Sequence, residues 1–170
     1  MAGQAAARPG GERGSSRALR GMVTVEPPHA RRRWSVVDAS VWVSRFVPGD
    51  LNHDASRGWL HHHLASGNVI VVPTLLLVEV AGAIARRTGD AARTERIIQL
   101  TRSLSGLRWV PLTAGLTDRA ANLATELGLR GADAIYVALA DRLDIPLVTW
   151  DSEQLTRANP RIRVGTPTTT

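Results

Sequence analysis

From Trp34 onward, short β-branched runs alternate with longer stretches whose apolar positions recur every three or four residues. The short runs predict strands over 35–38, 69–72, 108–110 and 146–149, with a last one over 162–164. The longer stretches predict helices over 51–65, 74–87, 94–105, 113–127 and 132–143, and a further one starting near Ser40. Turn residues mark the joints: Ser66-Gly67-Asn68 closes the first long helix, Pro73 opens the next, and Gly89 and Gly128 end two others. Strands alternating with helices predict an α/β fold, a three-layer α/β/α arrangement around a central parallel sheet of four or five strands. No internal repeat interrupts this order.

Composition narrows the chemistry. The 170 residues include 21 basic ones, every one an arginine, so lysine-dependent phosphate loops and Schiff-base chemistry are excluded. There is no cysteine, which removes disulfide scaffolds, thiolate catalysis and cysteine-ligated metals. The net charge of +6 is unevenly spread. Residues 1–33 carry seven arginines against Glu12 and Glu26, and residues 157–170 carry three with no acid. The stretch between them holds eleven arginines against thirteen acids, a net of −2.

Residues 1–33 are expected to be a disordered arginine-rich extension, the first 21 being rich in Gly, Ala, Ser and Pro without apolar periodicity. No apolar stretch follows the charged start, so a secretory signal is not expected, and the tail lacks the apolar face of a mitochondrial presequence. Met22 offers an alternative start. The structured domain is expected over 34–165, with 166–170 a disordered tail. The longest apolar stretch, 69–80, is broken by Pro73 and Glu79 and falls short of a membrane span. The expected location is the cytoplasm.

In a parallel α/β sheet the functional groups lie beyond the carboxyl ends of the strands, where strand order reverses. Asp38 and Asp151 each fall at or just after a predicted strand end, and Asp133 lies in the first turn of its helix. Each has an ordinary structural role open to it, as a helix cap or a first-turn acid. Glu79 sits within Leu75-Leu76-Leu77-Val78-Glu79-Val80-Ala81, where a carboxylate is costly unless paired with an arginine such as Arg86 or Arg87, or bound to a cation. Clustered carboxylates raise one another's pKa until a cation compensates, and an oxygen-only donor set suits Mg²⁺ or Mn²⁺.

Four segments carry a family resemblance: Val36-Val37-Asp38-Ala39-Ser40-Val41-Trp42-Val43, Leu76-Leu77-Val78-Glu79-Val80, Gly131-Ala132-Asp133-Ala134-Ile135-Tyr136-Val137-Ala138-Leu139-Ala140 and Leu147-Val148-Thr149-Trp150-Asp151. In this order and spacing they resemble the successive motifs of PIN-domain proteins, most closely the VapC-type toxins of toxin–antitoxin pairs. The resemblance covers about residues 34–165; the long arginine-rich extension departs from it. It implies a Mg²⁺- or Mn²⁺-dependent endoribonuclease that leaves 5′-phosphate and 3′-hydroxyl ends. It implies Asp38, Glu79, Asp133 and Asp151 as the acidic metal-binding and catalytic set, with Ser40 and Thr149 orienting a carboxylate or water. It further implies an RNA substrate, a cognate antitoxin protein and a homodimer, for which the apolar helix faces at 74–85 and 113–127 are candidates.

A different reading is a PIN-like domain that binds RNA or protein without cutting, though the acidic set is complete. A haloacid-dehalogenase-like phosphatase would need a second aspartate where Ser40 stands, and a lysine. Other features are weaker. His61, His62 and His63 point about 100° apart on a helix and do not converge on one ion with His53 and Asp54. Arg86, Arg87, Arg93 and Arg96 suit either RNA phosphates or a solvated helix face. Trp34, Trp42, Trp59 and Trp109 read as core or interface residues. Asp118, Asp141, Asp144 and Glu153 read as surface or turn acids, with Glu153 near enough to Asp151 to join the pocket.

Overall fold

A computed structural model describes residues 32–167; the expectations for residues 1–31 and 168–170 lie outside the described residues. The central strand is β1 (Trp34–Val37), followed by α1 (Ala39–Phe46) and α2 (His53–Ala65). Next come β2 (Val69–Pro73), α3 (Leu75–Thr88), α4 (Ala91–Ser103) and β3 (Leu107–Val110). The chain continues through α5 (Ala114–Leu127), α6 (Gly131–Leu143) and β4 (Leu147–Val148). It closes with α7 (Ser152–Arg157) and β5 (Val164–Gly165).

The strands form one parallel sheet in the order β3-β2-β1-β4-β5. The sheet is therefore laid from its middle strand, stepping outward through β2 to β3 and then returning to place β4 on the other side of β1. Right-handed crossovers force the connections made on the outward and return legs onto opposite faces. Accordingly α2 and α3 pack on β2 and against α1, while α6 lies across β1, β2 and β4 beneath α5. Burial follows from this. Val36, Val37 and all of β2 are enclosed on both faces, and α6 is buried continuously from Ala134 to Ala140.

Local chemistry sets the element ends. Gly89 and Gly128 adopt φ of 64° and 65° and stop α3 and α5 in the left-handed conformation that glycine takes without strain. Asp90 accepts from the Arg93 amide at 2.8 Å, so α4 starts at Ala91, three residues earlier than the apolar pattern predicts. The helix α7 has no counterpart in that pattern, because six residues are too few for a periodicity. It exists because Asp151 accepts from the Gln154 amide at 2.8 Å.

Candidate active site

Strand order reverses between β1 and β4, and both strands deliver a side chain to the crevice at their carboxyl ends. Asp38 follows β1 directly. It is 4% exposed, and its carboxylate is held from three directions. Oδ2 accepts from the Ser40 amide at 2.9 Å, which caps α1, and from the Thr149 hydroxyl at 3.1 Å. Oδ1 accepts from the Gln154 side-chain amide at 3.2 Å. Thr149 in turn accepts from the Asp151 amide at 2.9 Å, and Ser40 Oγ accepts from the Trp150 amide at 3.0 Å. The end of β4 is thus stitched to the start of α1 through two hydroxyls.

Asp133 enters from the first turn of α6, and its Oδ1 accepts from the same Gln154 nitrogen at 3.1 Å. One fully buried amide therefore grips two carboxylates that lie far apart in sequence. Burial pushes the Asp133 carboxyl up. The Gln154 hydrogen bond opposes this, and the charges of Asp151 and Asp38 reinforce it. Its other oxygen, Oδ2, is buried without a hydrogen-bond partner, as is Gln154 Oε1.

Glu79 reaches the cluster from α3. Its partner is neither Arg86 nor Arg87, the pairing the sequence left open. The Tyr136 hydroxyl donates to Glu79 Oε2 at 2.6 Å, and Arg87 is engaged with Asp50 at 2.7 Å. Burial pushes the Glu79 carboxyl up to about 7 against the pull of that hydrogen bond, with help from the charges of Asp38 and Asp133. The Tyr136 phenol is driven well above its ordinary range by burial and by Glu79, so it remains a donor. Asp151 shares the field of Asp133 while also capping α7. Glu153 does not join them. It faces Arg157 and Arg130 at 3.6 and 4.0 Å, because its place one residue along α7 turns it outward.

The cluster borders a cleft of about 720 Å³ whose lining includes Ser40, Glu79, Trp150, Arg86, Arg87 and Arg130. The remaining features noted in the sequence lie elsewhere. His53 Nδ1 contacts the Ser44 carbonyl, His63 stacks on Trp59 at 4.5 Å, and Arg93 donates to the Phe46 carbonyl. Asp141 is clasped by Arg119 and Arg161, and Asp144 ends α6 with a φ of 51°. Trp42 is fully buried, whereas Trp34 is 43% exposed.

Three residues here were not singled out in the sequence. Gln154 stands in a polar six-residue helix and reads as exposed, Tyr136 lies in an apolar run, and Trp150 is flanked by more conspicuous residues. A signal for Tyr136 did exist: Glu79 needs a donor, and Tyr136 is the one tyrosine in the chain.

The PIN-domain family model matches residues 35–159. The chain belongs to the PIN-domain family. Solved structures agree on the fold. VapC20 of Mycobacterium tuberculosis, described as a toxin cleaving the sarcin–ricin loop, aligns with a TM-score of 0.58 at 23% identity, over 69% of this chain and 90% of that one. VapBC2 from Rickettsia felis, bound to a promoter DNA fragment, gives 0.60 at 18%, over 78% and 98%. A toxin–antitoxin complex from Klebsiella pneumoniae gives 0.57 at 18%, over 80% and 99%. No curated protein sequence matches the chain. Within this PIN domain the acids are gathered without forming a closed cage: among the described residues no three His, Asp or Glu side chains stand as a ready ligand set. The donor chemistry still fits a hard cation. All donors are oxygens, Asp133 Oδ2 is buried and unpartnered, and the Glu79 and Asp133 carboxyls are pushed up by burial and by neighbouring carboxylates. Mg²⁺ keeps several waters and needs few protein oxygens.

Proposed function

We propose that this PIN domain is a Mg²⁺- or Mn²⁺-dependent endoribonuclease acting as the toxin of a VapBC-type toxin–antitoxin pair. The observation that carries the reading is the pairing of Asp38 and Asp133 on one buried amide at the strand-order switch, with Glu79 in their field. Asp38, Glu79 and Asp133 would hold the ion, with Asp151 as the fourth acid. Bound there, the ion would supply charge neutralisation at the phosphodiester and activation of water. The chain's own groups do the rest. The Thr149 hydroxyl and the Ser40 amide fix the Asp38 carboxylate, and Tyr136 holds Glu79 in place. The guanidiniums of Arg86 and Arg130 on the cleft rim draw in the phosphate backbone. The cognate antitoxin would be a protein covering this cleft, and a second copy of the chain the other partner, with action in the cytoplasm. No helix among the described residues is long and apolar enough to cross a membrane.

Purified protein is expected to cleave single-stranded RNA with Mn²⁺ and to lose that activity in excess chelator, regaining it on readdition of the ion. Cleavage that persists in chelator would overturn the reading. RNA binding without cleavage under any divalent ion would leave the non-cutting alternative.

Gln154 gives a second test. Replacing it with leucine keeps the volume but releases both carboxylates, so Mn²⁺ affinity measured by calorimetric titration should fall by roughly 10- to 100-fold, as for other groups that orient metal ligands. An unchanged affinity would reduce Gln154 to a packing residue.

A further inference from the structure

The geometry points to Trp150 as a stacking platform for an unpaired base of the RNA, next to the phosphate presented to the acidic cluster. This rests on the ribonuclease reading and specifies which part of the nucleic acid the cleft grips.

Trp150 stands between Thr149, which holds Asp38, and Asp151, which caps α7. Its backbone amide donates to Ser40 Oγ at 3.0 Å. Its indole Nε1 donates to Ser56 Oγ at 2.7 Å. Ser56 is fully buried and its hydroxyl is hydrogen-bonded to Ser44 Oγ at 2.5 Å, with Ser44 in turn donating to the Val41 carbonyl. The ring is therefore fixed at both ends before any ligand arrives, and its one polar group is spent inside the protein. Trp150 is partly buried against the core and also lines the cleft, so with its N–H engaged only the ring's carbon surface is left to offer there.

That division selects the ligand. An indole whose N–H is engaged cannot read a base edge by hydrogen bonding; it can offer a face, which suits any base lifted out of a helix. Arg86 and Arg130 on the same cleft supply the charge for the backbone that carries that base. A duplex keeps its bases stacked on each other and has no free face to give. A prepositioned ring also loses little entropy on binding, since both its torsions are already set. The preferred ligand is consequently single-stranded, and purines, with more stacking surface, should bind best.

The test uses the full chain in chelator, with oligoadenylate, an abasic oligomer of the same length and charge, and the oligoadenylate–oligouridylate duplex as probes. Oligoadenylate is expected to bind on the order of tenfold or more tightly than the abasic oligomer, with quenching of indole fluorescence. Trp150→Leu should remove that preference while leaving abasic binding unchanged. Trp150→Phe should retain most of it, because it keeps a ring and loses only the Ser56 bond. Thermal unfolding identifies any variant that fails to fold, and the wild-type comparison of base-bearing and abasic probes needs no variant. Equal affinity for both single-stranded probes, or equal losses in Trp150→Phe and Trp150→Leu, would overturn the inference. So would preference for the duplex. If RNA is cleaved with Mn²⁺ but shows no such dependence, stacking fails alone. If RNA is neither bound nor cleaved, the ribonuclease reading fails and takes this inference with it. Base-dependent binding without cleavage supports stacking and rejects only the cutting reaction.

Discussion

Replacing Asp133 with asparagine is expected to reduce RNA cleavage roughly a thousandfold, several kcal/mol of transition-state stabilisation, while leaving the protein at least as stable as before. The separation of the two effects follows from its hydrogen bonds. Asp133 Oδ1 accepts from Gln154, and an asparagine carbonyl does the same. Oδ2 is buried with no partner, so an amide there breaks no hydrogen bond, and relief of repulsion from Asp38 and Asp151 offsets the cost of its unpaired N–H groups. Asp38→Asn should behave differently. Both Asp38 oxygens accept hydrogen bonds, two on Oδ2 and one on Oδ1, so an amide nitrogen at either position meets a donor. That variant should lose activity and also about 1–3 kcal/mol of stability. Cleavage rates with Mn²⁺ and urea unfolding, measured on both variants, separate the roles. Wild-type activity in Asp133→Asn would remove this residue from the catalytic set.

The second large effect is on stability against pH. Glu79 titrates near 7 in the folded protein against an ordinary 4.5, so between these values the native state keeps a proton that the unfolded chain has released. Stability of the metal-free protein must then fall as pH rises through that window, and Asp133, also pushed up, acts in the same direction. Allowing for partial solvent access, Glu79 should cost about 2 kcal/mol by pH 8. Glu79→Gln should recover most of this in chelator at pH 8 and show a flatter profile between pH 5 and 8. His63, depressed by burial, contributes an opposite slope at the acidic end, which cancels when the variant is subtracted from wild type. The same substitution should abolish stabilisation by added Mn²⁺, since a neutral amide is a poor replacement for a carboxylate. Urea unfolding at pH 5.5 and 8, with and without Mn²⁺, measures each quantity. A wild-type profile that rises toward pH 8 would show that the folded protein does not hold the Glu79 proton. The site is thus expected to be a source of strain that a bound cation relieves.

Several outlines of this protein are written locally in its sequence. β-branched runs place four of the strands to within a residue or two, because a strand enclosed on both faces needs little beyond apolar residues in succession. Glycines after α3 and α5 mark their ends, since few residues other than glycine take a positive φ without strain. Asp38 and Asp151 are visible because they follow strands, and Glu79 because it is out of place in an apolar run. The partition of charge is equally legible: the positive balance lies at the two ends, and residues 34–156 are mildly acidic.

The sequence alone thus determined the elements other than α7, their order and the acids that merit attention. Only the tertiary structure decided what each acid touches. Gln154 meets Asp38 across 116 positions, Trp150 meets Ser56 across 94, and Tyr136 meets Glu79 across 57. Such contacts follow from the order in which parallel strands are laid side by side, and no local pattern of apolar and polar residues encodes it. A buried amide between two carboxylates has the same one-letter neighbours as an exposed one; the difference arises when the return of β4 to β1 closes the crevice around it.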